Sequence, residues 1–136
     1  SKCGQATGDF QSPTVGYKPH SPFNPNGSGG RRVHKGVDVG GNFGDPIFAA
    51  DGGIVSVEDH GDTSWGLHVI IDHGNFKTLY GHISKVLVRT GDTVSKGDKI
   101  GKIGSSGHSN GPHLHFEVIG PDGVRIDPDS VIDWDY

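Results

Sequence analysis

Apolar and polar residues alternate with a period of two in several stretches of this chain. The clearest is Gly111-Pro112-His113-Leu114-His115-Phe116-Glu117-Val118. Leu114, Phe116 and Val118 take one phase and His113, His115 and Glu117 the other, as in a strand with one apolar face. Residues 53–59 (Gly-Ile-Val-Ser-Val-Glu-Asp) and 67–73 (Leu-His-Val-Ile-Ile-Asp-His) read as two more strands. The run 76–83 pairs with 67–73 as a hairpin, since Gly74-Asn75 between them is a favoured two-residue loop. Shorter strands are expected at 46–52 and 99–104, with Val86, Val88 and Val94 as apolar anchors and a tail returning through Ile126, Pro128, Val131, Ile132 and Trp134.

No stretch keeps a 3.6-residue apolar spacing over roughly 11 residues, so no long helix is predicted; 84–89 has room for a single turn. Residues 1–32 are rich in Gly, Ser, Pro and Asn, and Pro13, Pro19, Pro22 and Pro25 exclude a central strand there. Val15-Gly16-Tyr17 is left as a brief edge strand, and 24–30 as a loop beside a groove. The expected organisation is a lead-in at 1–32 and a core at 33–136. The expected fold is all-β or nearly so: one compact domain on antiparallel sheet, with one face on the core and a groove over the exposed face.

Composition narrows the function classes. Glycine supplies 24 of 136 residues without a Gly-X-Y period, which excludes collagen and fits frequent turns. The net charge is −4 and the densest basic cluster is only Arg31, Arg32 and Lys35, so a nucleic-acid partner is not expected. No run of 18 apolar residues is present, so no transmembrane helix is expected. Cys3 is the only cysteine and is read as an exposed thiol in a polar lead-in.

The chemistry lies in the phase of the nine histidines. His113 and His115 share a strand face, and Tyr80 and His82 share a face of another strand, opposite Leu79, Gly81 and Ile83. His34 and Asp38 are four apart, ~13 Å in a straight strand, so the segment must bend for both to reach one ion with ligands ~2 Å away. Gly36, Gly40 and Gly41 permit such a bend. His, His and Asp ligands with an open position would suit a zinc ion that activates water for hydrolysis. Spacing alone does not say which of His113 and His115 touches the metal.

The chain resembles the lysostaphin-like zinc endopeptidases of peptidase family M23, also called LytM-type peptidoglycan endopeptidases. The resemblance covers roughly residues 12–128. It rests on His34-x-x-x-Asp38 and His113-Leu114-His115. Gly52-Gly53-Ile54-Val55, Ile71-Asp72-His73-Gly74, Tyr80-Gly81-His82-Ile83, Gly91-Asp92-x-Val94-x-x-Gly97, Ile100-Gly101 and Gly104-Ser105-Ser106-Gly107 support it. Each is weak alone; in this order they form a strong signature. The resemblance implies one zinc ion per chain held by His34, Asp38 and His115, with His82 and His113 as the non-ligand catalytic pair. It implies His113 as general base and His82 as a group that orients water and stabilises the oxyanion.

The implied substrate is the stem peptide or interpeptide bridge of bacterial peptidoglycan, cut either at Gly–Gly or at D-alanyl–diaminopimelate-type bonds. The implied place of action is extracellular, at the cell wall or in the periplasm, or on a virion as in a phage tail. Targeting domains or virion proteins outside this chain are the implied partners. The alternative is an inactive or autoinhibited family member that serves as a binding or assembly module. Around the site, Asn42, Trp65, Tyr80 and His108 are candidate groove residues, and Glu117 is a hydrogen-bond acceptor for a ligand histidine. His73 is read as a structural hydrogen-bonding histidine, and Trp134 and Tyr136 as tail anchors.

Overall fold

A computed structural model describes residues 10–14, 19–21, 23–24, 35–59, 61, 65–105 and 111–134. Among them run β1 (Phe10–Gln11), β2 (Pro19–Ser21), β3 (Val37–Gly40), β4 (Pro46–Phe48), β5 (Gly53–Asp59), β6 (Leu67–Asp72) and β7 (Lys77–Gly81). There follow β8 (Ile83–Val86), β9 (Thr93–Val94), β10 (Lys99–Ile103), β11 (His113–Ile119), β12 (Arg125–Ile126) and β13 (Ile132–Asp133). A single 3-10 turn, Pro128–Ser130, is the only helical element among the described residues, and none of their helices is long and apolar enough to cross a membrane. The all-β expectation therefore holds.

Three sheets divide these strands. The largest has eight, in the order β2-β3-β11-β7-β6-β5-β9, with β12 added beside β11. A second sheet runs β4-β10-β8, and β1 pairs with β13 in the one parallel ladder. Every pairing in the two larger sheets is antiparallel.

Period-two patterning explains the layering. Val55 opposes Ile71, Val69 opposes Tyr80 and Tyr80 opposes Phe116, so one phase of four strands forms one apolar surface. Leu114, Phe116 and Val118 of β11 join it, as do Val37 and Val39 of β3. Ile47, Ile83, Ile100 and Ile103 of the small sheet complete the same buried cluster. Fully burying side chains of this size contributes about 1.5–3 kcal/mol each, which is the main force holding the sheets together.

The hairpin β6–β7 is closed as expected. The His73 N–H donates to the Phe76 carbonyl at 2.8 Å, and Gly74-Asn75 make the tip, with Gly74 at φ +103. Two local expectations change. Residues 84–89 hold no helical turn; the β-branched Ile83 and Val86 sit in β8, whose backbone pairs with β10. Tertiary pairing thus outcompetes a weak local preference. Val15-Gly16-Tyr17 lies outside the described residues, and the observed edge strand is β2, where Pro19 is tolerated because only β3 flanks it.

A buried polar chain ties β7 to the turn after β4. The Ala50 N–H donates to the Tyr80 hydroxyl at 3.0 Å, Tyr80 lies 2.7 Å from Thr78 Oγ1, Thr78 Oγ1 lies 2.8 Å from His73 Nε2, and His73 Nδ1 lies 2.7 Å from the Gly52 carbonyl. One end is a backbone donor and the other a backbone acceptor, so every proton in the chain points one way. His73 is neutral here, protonated on Nδ1, and accepts from Thr78 on Nε2. The structural role expected for His73 is what this geometry provides.

Candidate active site

β11 is the centre of the site because it is flanked on both sides. β3 pairs with its first half, placing His113 opposite Gly40 and His115 opposite Asp38. β7 pairs on the other side and places His115 opposite Gly81. Glycine on both neighbours leaves room over the sheet for two imidazoles. A Cβ on Gly81 would lie 3.3 Å from Trp65 Cβ and 3.4 Å from His115 Cβ, so even alanine would crowd the site. The bend expected before Asp38 occurs at residues 35–36. It brings Gly36 so close to β11 that a Cβ there would stand 2.3 Å from the Phe116 carbonyl.

His115 is held at both nitrogens. Its Nε2 lies 2.7 Å from Glu117 Oε2 and its Nδ1 lies 3.0 Å from Asp38 Oδ1. Glu117 is almost fully buried, and its Oε1 accepts from Arg125 Nε at 2.7 Å. Burial alone would raise the Glu117 pKa, yet the bonds and charges of His115 and Arg125 hold it below the usual carboxylate value. Burial also works against a charged His115, but Asp38 and Glu117 outweigh it and push its pKa up to about 9. An ionised Glu117 only accepts, so Nε2 carries a proton. A neutral His115 then presents a bare Nδ1 to the Asp38 carboxylate: two acceptors 3.0 Å apart, which require a cation between them, either a proton or a metal ion.

The other two histidines stand beside this pair. His113 Nδ1 is 3.0 Å from the Gly111 carbonyl, which can only accept, so the Nε2 of a neutral His113 is its basic nitrogen. That Nε2 lies 3.7 Å from Asp38 Oδ1. The His82 ring is centred 4.7 Å from His113 and 6.1 Å from His115.

His82 reaches the site by a route that alternation does not encode. Tyr80 and His82 do not share a face. Tyr80 is fully buried in the core, edge-on to Phe116 at 5.3 Å, and its burial pushes the phenol pKa up. His82 instead adopts φ +61, the only positive value among non-glycine described residues, and its N–H donates to the Trp65 carbonyl at 2.7 Å. This left-handed residue ends β7, breaks the period and turns the imidazole to the opposite face. Such backbone strain costs about 1–3 kcal/mol and is retained where surrounding contacts over-determine it.

The candidate groove residues separate. Trp65 stacks nearly parallel to His115, with centroids 6.5 Å apart and planes at 16°, and meets His68 edge-on. It therefore forms a wall of the site. Asn42 is on an exposed loop and its N–H donates to Asp45 Oδ2. The neighbouring Phe43 is also exposed and borders an open groove of about 450 Å³ with Leu67, Ile83, Ser84 and Ser105. Tyr80 is on the wrong side of the sheet to line it. His34 and His108 lie outside the described residues. Among those described, no group of three His, Cys, Asp or Glu side chains is arranged to hold a metal; Asp38 and His115 form a pair.

Arg125 escaped the sequence reading. Its signal was the Pro121-Asp122-Gly123 turn, from which the opposite register could be counted: Arg125 pairs with Ile119, on the phase of Glu117 and His115.

The sequence model described as Peptidase family M23 matches residues 32–128. An uncharacterized metalloprotease of Haemophilus influenzae is 43% identical over 102 residues, 71% of this chain and 22% of that protein. Peptidoglycan DD-endopeptidase ShyA of Vibrio cholerae is 42% identical over 88 residues, 63% of this chain and 20% of its own length. The chain thus spans about a fifth of these relatives. A crystal structure of a zinc-containing peptidase from Vibrio cholerae superposes with a TM-score of 0.78 at 35% identity, covering 88% of this chain and 39% of that one. With the family match extending over most of the chain and the fold in agreement, this protein belongs to peptidase family M23.

Proposed function

We propose that this chain is a zinc-dependent endopeptidase that hydrolyses peptide crosslinks of bacterial peptidoglycan outside the cytoplasmic membrane. The observation that carries the reading is the close approach of His115 Nδ1 and Asp38 Oδ1, with His113 and His82 alongside. The donor set suits zinc: one imidazole nitrogen and one carboxylate oxygen, with the second imidazole nitrogen occupied by Glu117 as a ligand histidine requires. His34, four residues before Asp38, is the proposed third ligand. Bound there, zinc supplies Lewis-acid chemistry, polarising a carbonyl and making water acidic enough to attack near neutral pH.

The remaining steps belong to the chain's own side chains. His113 Nε2 takes a proton as water oxygen bonds to the scissile carbonyl carbon, and returns it to the amine nitrogen as the C–N bond breaks. His82, held by its backbone bond to Trp65, donates to the developing oxyanion. The Trp65 wall excludes water from one side of His115 and offers a flat surface to a peptide. The family match and the endopeptidase named among the relatives support the substrate class.

The test is metal content together with wall hydrolysis. Purified protein should carry about one zinc per chain and release free amino groups from purified walls. His115→Ala should lose both. Mass analysis of fragments from glycine-bridged and directly crosslinked walls identifies the bond cut. Zinc binding without released amino groups from either wall would replace this reading with that of a binding module.

A further inference from the structure

We propose that Arg125 is a positioning residue for the metal centre, acting through Glu117 on the orientation of His115. This rests on the reading of His115 as a metal ligand. Three side chains stand in a row on one sheet face. Arg125 Nε donates to Glu117 Oε1 at 2.7 Å, and Glu117 Oε2 accepts from His115 Nε2 at 2.7 Å. The two oxygens of one carboxylate are thus divided between a guanidinium and an imidazole.

The fold makes this row specific. The hairpin between β11 and β12 turns through residues 120–124, with Gly120 and Val124 paired at 2.8 Å, Gly123 at φ +80, and the Val124 N–H bonded to Asp122 Oδ1. That loop length sets the Ile119–Arg125 register and so the face on which Arg125 falls. One residue more or less would turn the guanidinium toward the core. Glu117 is 1% exposed and Arg125 side chain 26% exposed, so the pair is largely shielded from water. An exposed ion pair would contribute little, whereas removing one partner from a buried carboxylate leaves it seeking another donor.

Without Arg125, the nearest remedy for Glu117 is rotation toward solvent. Nε2 of His115 then loses its acceptor, and nothing on that side holds the ring with Nδ1 toward Asp38. Nδ1 is the nitrogen that faces Asp38. Arg125 therefore favours the metal-ready orientation of His115 through the one side chain between them, without touching metal or substrate. Arginine suits the task because its planar fork holds a carboxylate in one orientation; lysine supplies charge alone.

The experiment measures zinc affinity by chelator competition, and the hydrogen bond from His115 Nε2 to Glu117 by the Nε2 proton signal in proton–nitrogen-15 NMR of zinc-loaded protein. Arg125→Ala should weaken zinc binding by about 10–100-fold, the usual effect of losing an outer partner of a ligand, and move the His115 Nε2 proton signal upfield as its hydrogen bond to Glu117 is lost. In a Glu117→Gln background the same substitution should change zinc affinity by less than about twofold, because coupled residues are non-additive. Arg125→Lys should fall between wild type and alanine, and it takes over the measurement if Arg125→Ala does not fold. Unchanged affinity and an unchanged Nε2 proton signal in a folded variant would overturn the proposal. So would an equal loss in both backgrounds, which would make Arg125 only a general stabiliser. A wild-type chain that binds no zinc would overturn the metal reading itself.

Discussion

Two histidines, His73 half-buried and His115 buried, are both partly withdrawn from water and respond in opposite ways. Burial lowers the His73 pKa, with the Gly52 bond and the charges of Asp51 and Asp72 opposing it. His115 is pushed up to about 9 against its burial, because both nitrogens face carboxylates. His73 has only a carbonyl and a hydroxyl for its two nitrogens. Desolvation acts on both rings; the charge of the partners decides the outcome. The core side of the sheet thus holds a neutral, one-way hydrogen-bonded chain, and the outer side holds a charge-rich site that calls for a cation.

The sharpest way to test the outer side is His113→Ala. Zinc should stay bound while wall hydrolysis falls about 10²–10⁴-fold, as for loss of a general base. Unchanged turnover in steady-state release of amino groups would remove the assigned role. The core side is broken by Tyr80→Phe, which strips the acceptor from the Ala50 N–H and the donor from Thr78. The expected cost is about 1–3 kcal/mol in denaturant melts, with zinc affinity unchanged. A loss of hydrolysis with no loss of stability would put Tyr80 back in the groove.

The smallest effect concerns His73. Its folded pKa lies below the unfolded value of about 6.5, so the unfolded chain binds more protons between the two. The His73 contribution to stability is fully present above the unfolded value and is lost as pH falls toward the folded one. Thermal melts of zinc-loaded protein between about pH 7.5 and 5 should therefore show a steeper loss on acidification for wild type than for His73→Gln. Equal slopes would mean that the buried chain does not exclude the charged ring.

Much of this contrast was legible in the chain itself. Alternation in 113–118 placed Leu114, Phe116 and Val118 on the core and His113, His115 and Glu117 on the other face, as observed, because side chains of a paired strand point alternately. Gly74-Asn75 marked the hairpin that sets β6 against β7. The His-x-His motif on a strand and Asp38 after a glycine bend were enough to nominate a metal site, and the described part of that site has Asp38 against His115.

What escaped was whatever depends on a sign of φ or on a distant register. Period two put His82 with Tyr80, and one left-handed residue separated them. The segment 84–89 lacked a strong local pattern, and pairing with β10 made its first half a strand. Arg125 carries no motif; it matters because a turn of fixed length returns it beside Glu117. The sequence by itself determined which residues face the core, since burying apolar area is a local, repeating requirement along each strand. Only the tertiary structure decided which polar groups meet over the outer face, since those contacts are made between strands far apart in the chain.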